Sequence, residues 1–152
     1  MGTVSEKSNS ILGTFNGRIH LYPLHIFYED TDFSGVVYHA NYLRFLERAR
    51  SSFLNLLGIT HANLWAEHHL AFTIKNITID YKTPAQVDDH LVIHTTYDYL
   101  KGARLLISQT CYRGDAVIVS AKVEAASITA EGKPVRSPEF LLKALAPYLL
   151  AD

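Results

Sequence analysis

The hydrophobic positions between Asn41 and Leu57 repeat with the period of a helix. They fall at intervals of four, three, four and three residues, at Tyr42, Leu46, Ala49, Phe53 and Leu56. This spacing places them along one side of an α-helix. Charged residues fill the other side, and Gly58 follows as a helix stop. The pattern predicts one long amphipathic helix here and a shorter helix over 60–68.

Most of the remaining pattern alternates, as in β-strands. It predicts a first strand over 17–28, where Pro23 has no N–H to donate, so the strand is an edge there or begins after it. A second strand is predicted over 72–81. Its inward-facing side chains change from even to odd positions between Ile74 and Ile77, and this change predicts a bulge near Lys75-Asn76. Alternation predicts three further strands, over 91–99, 105–112 and 117–125.

The connections between these elements indicate the fold class. Arg113-Gly114-Asp115 predicts a tight hairpin, and Ser137-Pro138 predicts the start of a last helix that runs to about Ala146. Consecutive strands with short turns form antiparallel sheets. We therefore predict an α+β fold, with an antiparallel sheet of about five strands wrapped around the long helix. Residues 1–16 are expected to be a mobile N-terminal tail, and 17–152 a single domain.

Composition narrows the function classes. Fourteen Lys and Arg against 15 Asp and Glu leave no basic surplus, so a nucleic acid is not expected as a partner. The single cysteine, Cys111, can form neither an internal disulfide nor a cysteine-based zinc site. We find no apolar stretch typical of a secretory signal or a membrane span. These features predict a cytoplasmic globular protein without a membrane span.

One segment carries candidate chemistry: Tyr28 to Tyr42, which reads YEDTDFSGVVYHANY. Its three carboxylates precede a glycine, a histidine and the start of the long helix. The N–H groups at a helix N-terminus can polarise a carbonyl oxygen, and a nearby carboxylate can activate water or attack the carbonyl carbon. Such a site could perform acyl transfer without a metal. Solvated turn residues with an Asp cap are the alternative that the spacing alone leaves open.

This segment resembles the signature of the 4-hydroxybenzoyl-CoA thioesterase family. The family pattern, Tyr-x-Asp-Thr-Asp-x-x-Gly-x-Val-Tyr-His-x-x-Tyr, is matched at every fixed position over 28–42. The helix residues over 45–50 are similar to those of its YbgC-like, Tol–Pal-associated branch. The resemblance implies a hotdog fold and an acyl-CoA thioesterase, a hydrolase that releases a free acid and coenzyme A.

The resemblance also implies roles for individual residues. Asp32 corresponds to the catalytic carboxylate, as nucleophile or general base. His39 corresponds to the histidine at the helix entrance, whose backbone N–H would polarise the thioester carbonyl. Asp30 is expected to be structural, with its carboxylate bonded to loop N–H groups. Substrate-binding residues are expected at Tyr28, Phe33, Gly35 and Tyr38.

The chain departs from the family at one point. Many relatives carry Ala-Gly-Gly where this chain has Phe33-Ser34-Gly35. A bulky phenylalanine there predicts an acyl pocket of different size or mouth, so the acyl type and chain length stay open. The family forms homodimers or homotetramers with sheets joined edge to edge and the site at the subunit interface. We therefore expect a second chain to complete the pocket, and no cofactor, because coenzyme A is part of the substrate.

Two other functions remain open from the sequence. An acyl-CoA hydratase on the same fold would add water across a double bond, and a non-catalytic protein would bind acyl groups or dock on an envelope complex. Other candidate groups are weaker. Ser34 lacks the glycine of a nucleophile elbow. The pairs His90/His94 and His68/His69 do not have metal-site spacing on their expected elements, so no metal site is predicted. Cys111 is expected to be a buried small hydrophobe.

Overall fold

A computed structural model describes residues 11–151. It contains six strands, three α-helices and two short 3-10 turns. The strands are β1 (Thr14–Asn16), β2 (Ile19–His25), β3 (Ala71–Tyr81), β4 (His90–Lys101), β5 (Arg104–Arg113) and β6 (Ala116–Ile128). The helices are α1 (Asn41–Leu56), α2 (His61–His68) and α3 (Glu139–Leu145). The 3-10 turns are Tyr28–Asp30 and Ala146–Tyr148.

All six strands form one antiparallel sheet in the order β1-β2-β4-β5-β6-β3. The sequence predicted about five strands, and the additional one is β1, which lies inside the segment expected to be a mobile tail. Because β1 pairs with β2 through Thr14↔Leu21 and Asn16↔Ile19, the sheet begins at Thr14. The expected tail therefore does not extend to residue 16. The rest of that expectation falls on residues 1–10, which lie outside the described residues.

Helix α1 matches the predicted boundaries within one residue. Its apolar stripe is buried against the sheet, and Leu46, Ala49 and Phe53 have no exposed surface. Gly58 takes a φ of +81°, which is the left-handed conformation that often ends a helix. The long helix therefore lies along the inner face of the sheet, with its N-terminus at one end.

Two sheet irregularities follow the sequence. The register between β3 and β6 shifts between Ile74 and Asn76, which confirms the predicted bulge. Pro23 pairs with Val92 of β4 on one side, whereas the pairing of β2 with β1 ends at Leu21 on the other. Pro23 thus lies where β2 is an edge, as its missing N–H requires.

The last helix differs slightly from the prediction. Its N-cap is Pro138, and Ser137 does not cap it. The Ser137 hydroxyl instead lies 3.1 Å from the hydroxyl of Ser127 in the interior, so this side chain forms a tertiary contact and not a helix cap. Within residues 11–151, no helix has both the length and the apolar character needed to cross a membrane.

Candidate active site

Residues 28–40, here called the site loop, connect β2 to α1. The carboxylate of Asp30 accepts a hydrogen bond from the Phe27 N–H at 2.9 Å. The backbone carbonyl of Asp30 accepts from the Tyr38 N–H and from the Asn41 side chain, both at 3.0 Å. Asp30 therefore closes the loop and ties it to the first residue of α1. This is the structural role expected of it.

The middle of the site loop is a small hairpin. Thr31 bridges Val37, the Asp32 N–H donates to the Val36 carbonyl at 2.8 Å, and the Gly35 N–H donates to the Asp32 carbonyl at 3.0 Å. Gly35 has a φ of +86°, as in a three-residue hairpin loop that ends with a left-handed residue. A Cβ at Gly35 would meet no atom within 4 Å, so the backbone angle is what favours glycine in the chain itself.

The Asp32 side chain is exposed at the tip of this hairpin. Its Oδ1 atom accepts the Ser34 N–H at 2.8 Å and the Ser34 hydroxyl at 2.7 Å. The hydroxyl, and after it the N–H, holds the pKa of Asp32 below its usual value. The carboxylate is therefore ionised at neutral pH and faces solvent.

The N-terminus of α1 lies beside this loop. Its N-cap is Ala40, which has no side chain that could accept a hydrogen bond from the helix. Among residues 11–151, no acceptor takes the backbone N–H of His39. The Tyr81 hydroxyl donates to the His39 carbonyl at 3.1 Å, which anchors that peptide. The helix end thus offers a partial positive charge and a fixed, unused donor.

The aromatic residues expected to bind substrate lie on the surface of the chain. The side chain of Phe33 is fully exposed, and Tyr28 and Tyr38 are 84% and 47% exposed. The ring of Tyr38 packs against that of His39, with 4.7 Å between centroids. The chain by itself therefore does not enclose the Asp32 carboxylate.

A cavity of about 230 Å³ lies elsewhere, between α1, the start of α2 and the sheet. We call it the β3 cavity, because Phe72 and Ile74 at the beginning of β3 form one wall. It contains no residue of the site loop. Its other lining residues are Glu47, Arg50, Ser51, Leu54, His61, Tyr97, Leu105, Ile107 and Ala125.

The sequence analysis did not predict the polar side of this cavity. The Ser51 hydroxyl donates to the Glu47 carboxylate and lies 2.8 Å from Nε2 of His61. Arg50, which the helical pattern placed among the charged residues opposite the apolar stripe, turns inward and donates to the side chain of Gln109 at 2.9 Å. The partner on β5 is 59 residues away, so no local pattern could have indicated it.

The architecture and the site loop can now be compared with known proteins. A scan against protein families matches residues 28–145 to the Thioesterase-like superfamily. The chain belongs to the thioesterase-like superfamily. The match spans the site loop, α1 and all of the sheet from β3 onward.

Individual members of the thioesterase-like superfamily agree with this assignment. The chain is 41% identical over 119 residues to the acyl-CoA thioesterase YbgC of Haemophilus influenzae, covering 78% of this chain and 88% of that protein. It is 42% identical to a probable thioesterase from Bartonella henselae, with a TM-score of 0.76 over 79% of this chain and 99% of the other. The YbgC likeness expected from the signature is confirmed.

A more distant relative supports the fold alone. A 4-hydroxybenzoyl CoA thioesterase, solved with 4-hydroxybenzoyl CoA bound, superposes with a TM-score of 0.79 at 18% identity over 84% of this chain and 99% of that one. The predicted α+β hotdog fold is therefore confirmed, with six strands in place of about five.

The cysteine and the histidine pairs that the sequence raised as weaker candidates lie outside the site loop. Cys111 has no exposed surface, and burial raises the pKa of its thiol to about 12, so it behaves as a small hydrophobic residue. His94 packs against Tyr112 and His90 against His25. In the part of the chain that the structure describes, no three His, Cys, Asp or Glu residues are grouped to hold a metal ion.

Proposed function

We propose that this chain hydrolyses acyl-CoA thioesters to a free acid and coenzyme A, with Asp32 as its catalytic carboxylate. The reaction class follows from membership of the thioesterase-like superfamily and from a curated acyl-CoA thioesterase at 41% identity. The observation that supports Asp32 is its ionised, exposed carboxylate on the loop that enters the uncapped N-terminus of α1.

The chemistry follows from these two groups. The thioester oxygen accepts the His39 N–H, and the dipole of α1 stabilises the negative charge that develops on that oxygen. Asp32 then either removes a proton from water, whose oxygen attacks the carbonyl carbon, or attacks that carbon itself to form an anhydride that water hydrolyses. In both routes the C–S bond breaks and coenzyme A leaves as the thiolate, which takes up a proton.

The same proposal assigns the neighbouring residues. Tyr28, Phe33 and Tyr38 contact the substrate from the exposed rim of the site loop. Gly35 keeps the hairpin tip free of a side chain where the thioester approaches. These steps use protein groups and water, and coenzyme A belongs to the substrate, so the proposal includes no separate cofactor.

We further propose that the enzyme is a homodimer joined through β3. This strand is 11 residues long, pairs only with β6, and forms one edge of the sheet within residues 11–151, whereas β1 at the other edge has three residues. An unpaired edge presents free N–H and C=O groups to another strand. Ile74 on this edge strand is 43% exposed, and burial by a second copy would remove it from water.

This pairing would complete the site. Along β3, Ile74 lines the β3 cavity near the start of the strand, whereas Tyr81 at its end contacts the site loop. An antiparallel pair of β3 strands reverses one copy and brings its β3 cavity beside the site loop of the other. The cavity then receives the acyl group.

Thiol release from a panel of acyl-CoAs tests the reaction. The panel contains short, long, aromatic and enoyl members, and the variants are Asp32→Asn and, as the matched control, Asp30→Asn in the same acidic turn. We expect Asp32→Asn to lose at least about a hundredfold in turnover, because it removes the negative charge while keeping the volume. Asp32→Asn with more than half of the wild-type rate would refute the role of Asp32. Loss of enoyl absorbance without thiol release would instead indicate a hydratase.

Sedimentation of the purified protein tests the dimer. We expect a dimer or a tetramer at micromolar concentration, and a stable monomer with full activity would contradict the proposal.

We also assign the enzyme to the cytoplasm, where a lone buried thiol such as Cys111 stays reduced. Fractionation of cells that express the chain would test that location.

A further inference from the structure

Two donors from one residue converge on a single oxygen of Asp32. The Ser34 N–H and the Ser34 hydroxyl lie 2.8 and 2.7 Å from Oδ1. Within residues 11–151, no donor occupies Oδ2. The two carboxylate oxygens are therefore inequivalent, because one is held by the protein and the other is free.

The two bonds have different structural consequences. The Ser34 N–H bond closes a turn of the backbone, and any residue other than proline could supply it at this position. The hydroxyl bond contributes nothing to the backbone of the turn, and in the described part of the chain the hydroxyl bonds to the carboxylate alone. A glycine, as in the usual Ala-Gly-Gly of the family, would lack it. The hydroxyl thus acts on Asp32 rather than on the fold of the loop.

The hydroxyl restricts the carboxylate in two ways. It fixes the rotation of the side chain, so that Oδ2 keeps one direction, and it stabilises the charged form over the protonated form. The lowered pKa of Asp32 agrees with this, since the Ser34 hydroxyl is its largest cause. A fixed, ionised carboxylate reduces the reorientation that must precede attack or proton removal.

We propose that Ser34 is a positioning residue, whose hydroxyl holds the Asp32 carboxylate by Oδ1 and leaves Oδ2 to meet the carbonyl carbon or the attacking water. This inference rests on the proposed function, because it assumes that Asp32 is the reacting carboxylate. It adds a residue that the family signature leaves variable.

The experiment compares three variants of the full chain. Ser34→Ala removes the hydroxyl and keeps the N–H bond, and Ser34→Thr keeps both. The matched control is Thr31→Val, since the Thr31 hydroxyl lies in the same loop but donates to the Tyr28 carbonyl at 2.7 Å. For each variant, kcat and KM are measured across pH with the best acyl-CoA of the panel. The ¹³C signal of the Asp32 carboxyl, assigned with Asp32→Asn, is titrated in parallel.

We expect Ser34→Ala to lower kcat about two- to tenfold at neutral pH with little change in KM, because orientation is lost while substrate contacts remain. The acid limb of kcat/KM and the carboxyl titration should both move to higher pH, since the protonated form of Asp32 is no longer disfavoured by the hydroxyl. Ser34→Thr should restore the wild-type values, and Thr31→Val should leave the pH profile unchanged.

Three results would overturn the inference. They are a Ser34→Ala profile and titration that superimpose on the wild type, a Ser34→Thr variant as impaired as Ser34→Ala, and an equal shift in Thr31→Val. The carboxyl titration decides the question even if a variant loses activity through its fold at low pH. Failure of the proposed function is recognised separately, because Asp32→Asn would then retain turnover.

Discussion

The site loop and the β3 cavity are built in opposite ways. The site loop is one continuous stretch of 13 residues, is mostly exposed, and is shaped mainly by hydrogen bonds between residues at most 11 positions apart, with further bonds to the distant residues Tyr81 and Ala85. The β3 cavity is lined by residues from position 47 to position 125 on two helices and four strands. Reactive groups can thus be arranged by a local turn, whereas an enclosed volume requires distant elements to pack together.

This difference implies different responses to mutation. The exposed side chains of the site loop contribute little buried surface, so their substitutions should change rate without changing the free energy of unfolding. Residues beneath the β3 cavity belong to the core, so their substitutions should lower that free energy. The expected effects below are ordered from the largest to the smallest.

The largest effect is expected when the two regions are inactivated in different copies. Asp32→Asn disables the site loop, and Ser51→Phe fills the β3 cavity, so turnover is measured with the longest accepted acyl-CoA and the residual activity of each parent is subtracted. If the cavity of one copy serves Asp32 of the other, a hybrid dimer contains one site with both parts intact. Reassorted equal mixtures should then regain about a quarter of wild-type turnover, because about half of the dimers are hybrids with one working site.

Unmixed parents that pass through the same unfolding and refolding provide the control for that experiment. A different affinity tag on each parent would show that hybrid dimers have formed. If hybrids are present and the mixture is no more active than its parents, the shared site is contradicted. The cavity and Asp32 would then act within one chain or not together at all.

A large change in stability is expected at Gln109. This buried side chain accepts a hydrogen bond from Arg50 and donates to the Leu46 carbonyl at 2.9 Å and to the Thr95 hydroxyl at 3.0 Å. Gln109→Ala leaves those partners unpaired inside the protein and should cost about 2 kcal/mol, or roughly thirtyfold in the folded-to-unfolded ratio. Urea unfolding measures this loss.

The neighbouring Thr110→Ala and the site-loop variant Asp32→Asn are the comparisons for Gln109→Ala. Both should unfold close to the wild-type midpoint. A midpoint of Asp32→Asn as low as that of Gln109→Ala would remove the distinction between the two regions.

A moderate effect on substrate preference is expected at Ser51. Ser51→Phe should reduce kcat/KM for the longest accepted acyl-CoA roughly tenfold more than for acetyl-CoA. Only the long acyl chain needs the part of the cavity that the phenylalanine ring occupies. Ser51→Ala removes the contacts to Glu47 and His61 without adding bulk, and it should keep the wild-type preference. An unchanged preference in Ser51→Phe would show that the acyl group binds elsewhere.

The smallest effect is a pH dependence of stability from His20. The ring is fully buried, and burial lowers its pKa from the usual 6.5, although the bond of Nε2 to the Leu12 carbonyl partly offsets this. The unfolded chain therefore binds the proton more readily than the folded one. The free energy of unfolding should fall as pH drops below 6.5, and His20→Gln should flatten this slope.

Unfolding curves at several pH values between about 5 and 7.5 would measure the slope. His94 contributes in the same direction, since burial also lowers its pKa, so His94→Gln is the appropriate comparison. An identical slope for wild type and His20→Gln would contradict the assignment to His20.

The sequence determined those features that depend on neighbours along the chain. The period of α1, the bulge at Ile74 and Asn76, and the edge position of Pro23 all follow from side-chain alternation or from one missing N–H. The site loop was recognisable for the same reason, because its groups lie within 13 consecutive residues.

Only the tertiary structure decided which distant groups meet. It added β1 to the sheet, turned Arg50 toward Gln109, and formed the β3 cavity. It also selected a rotamer of Ser34 that bonds the Asp32 carboxylate, although the two residues are only two positions apart. Periodic patterns record which face of an element is buried. They do not record what that face packs against, because contacts between elements depend on the simultaneous packing of the whole core.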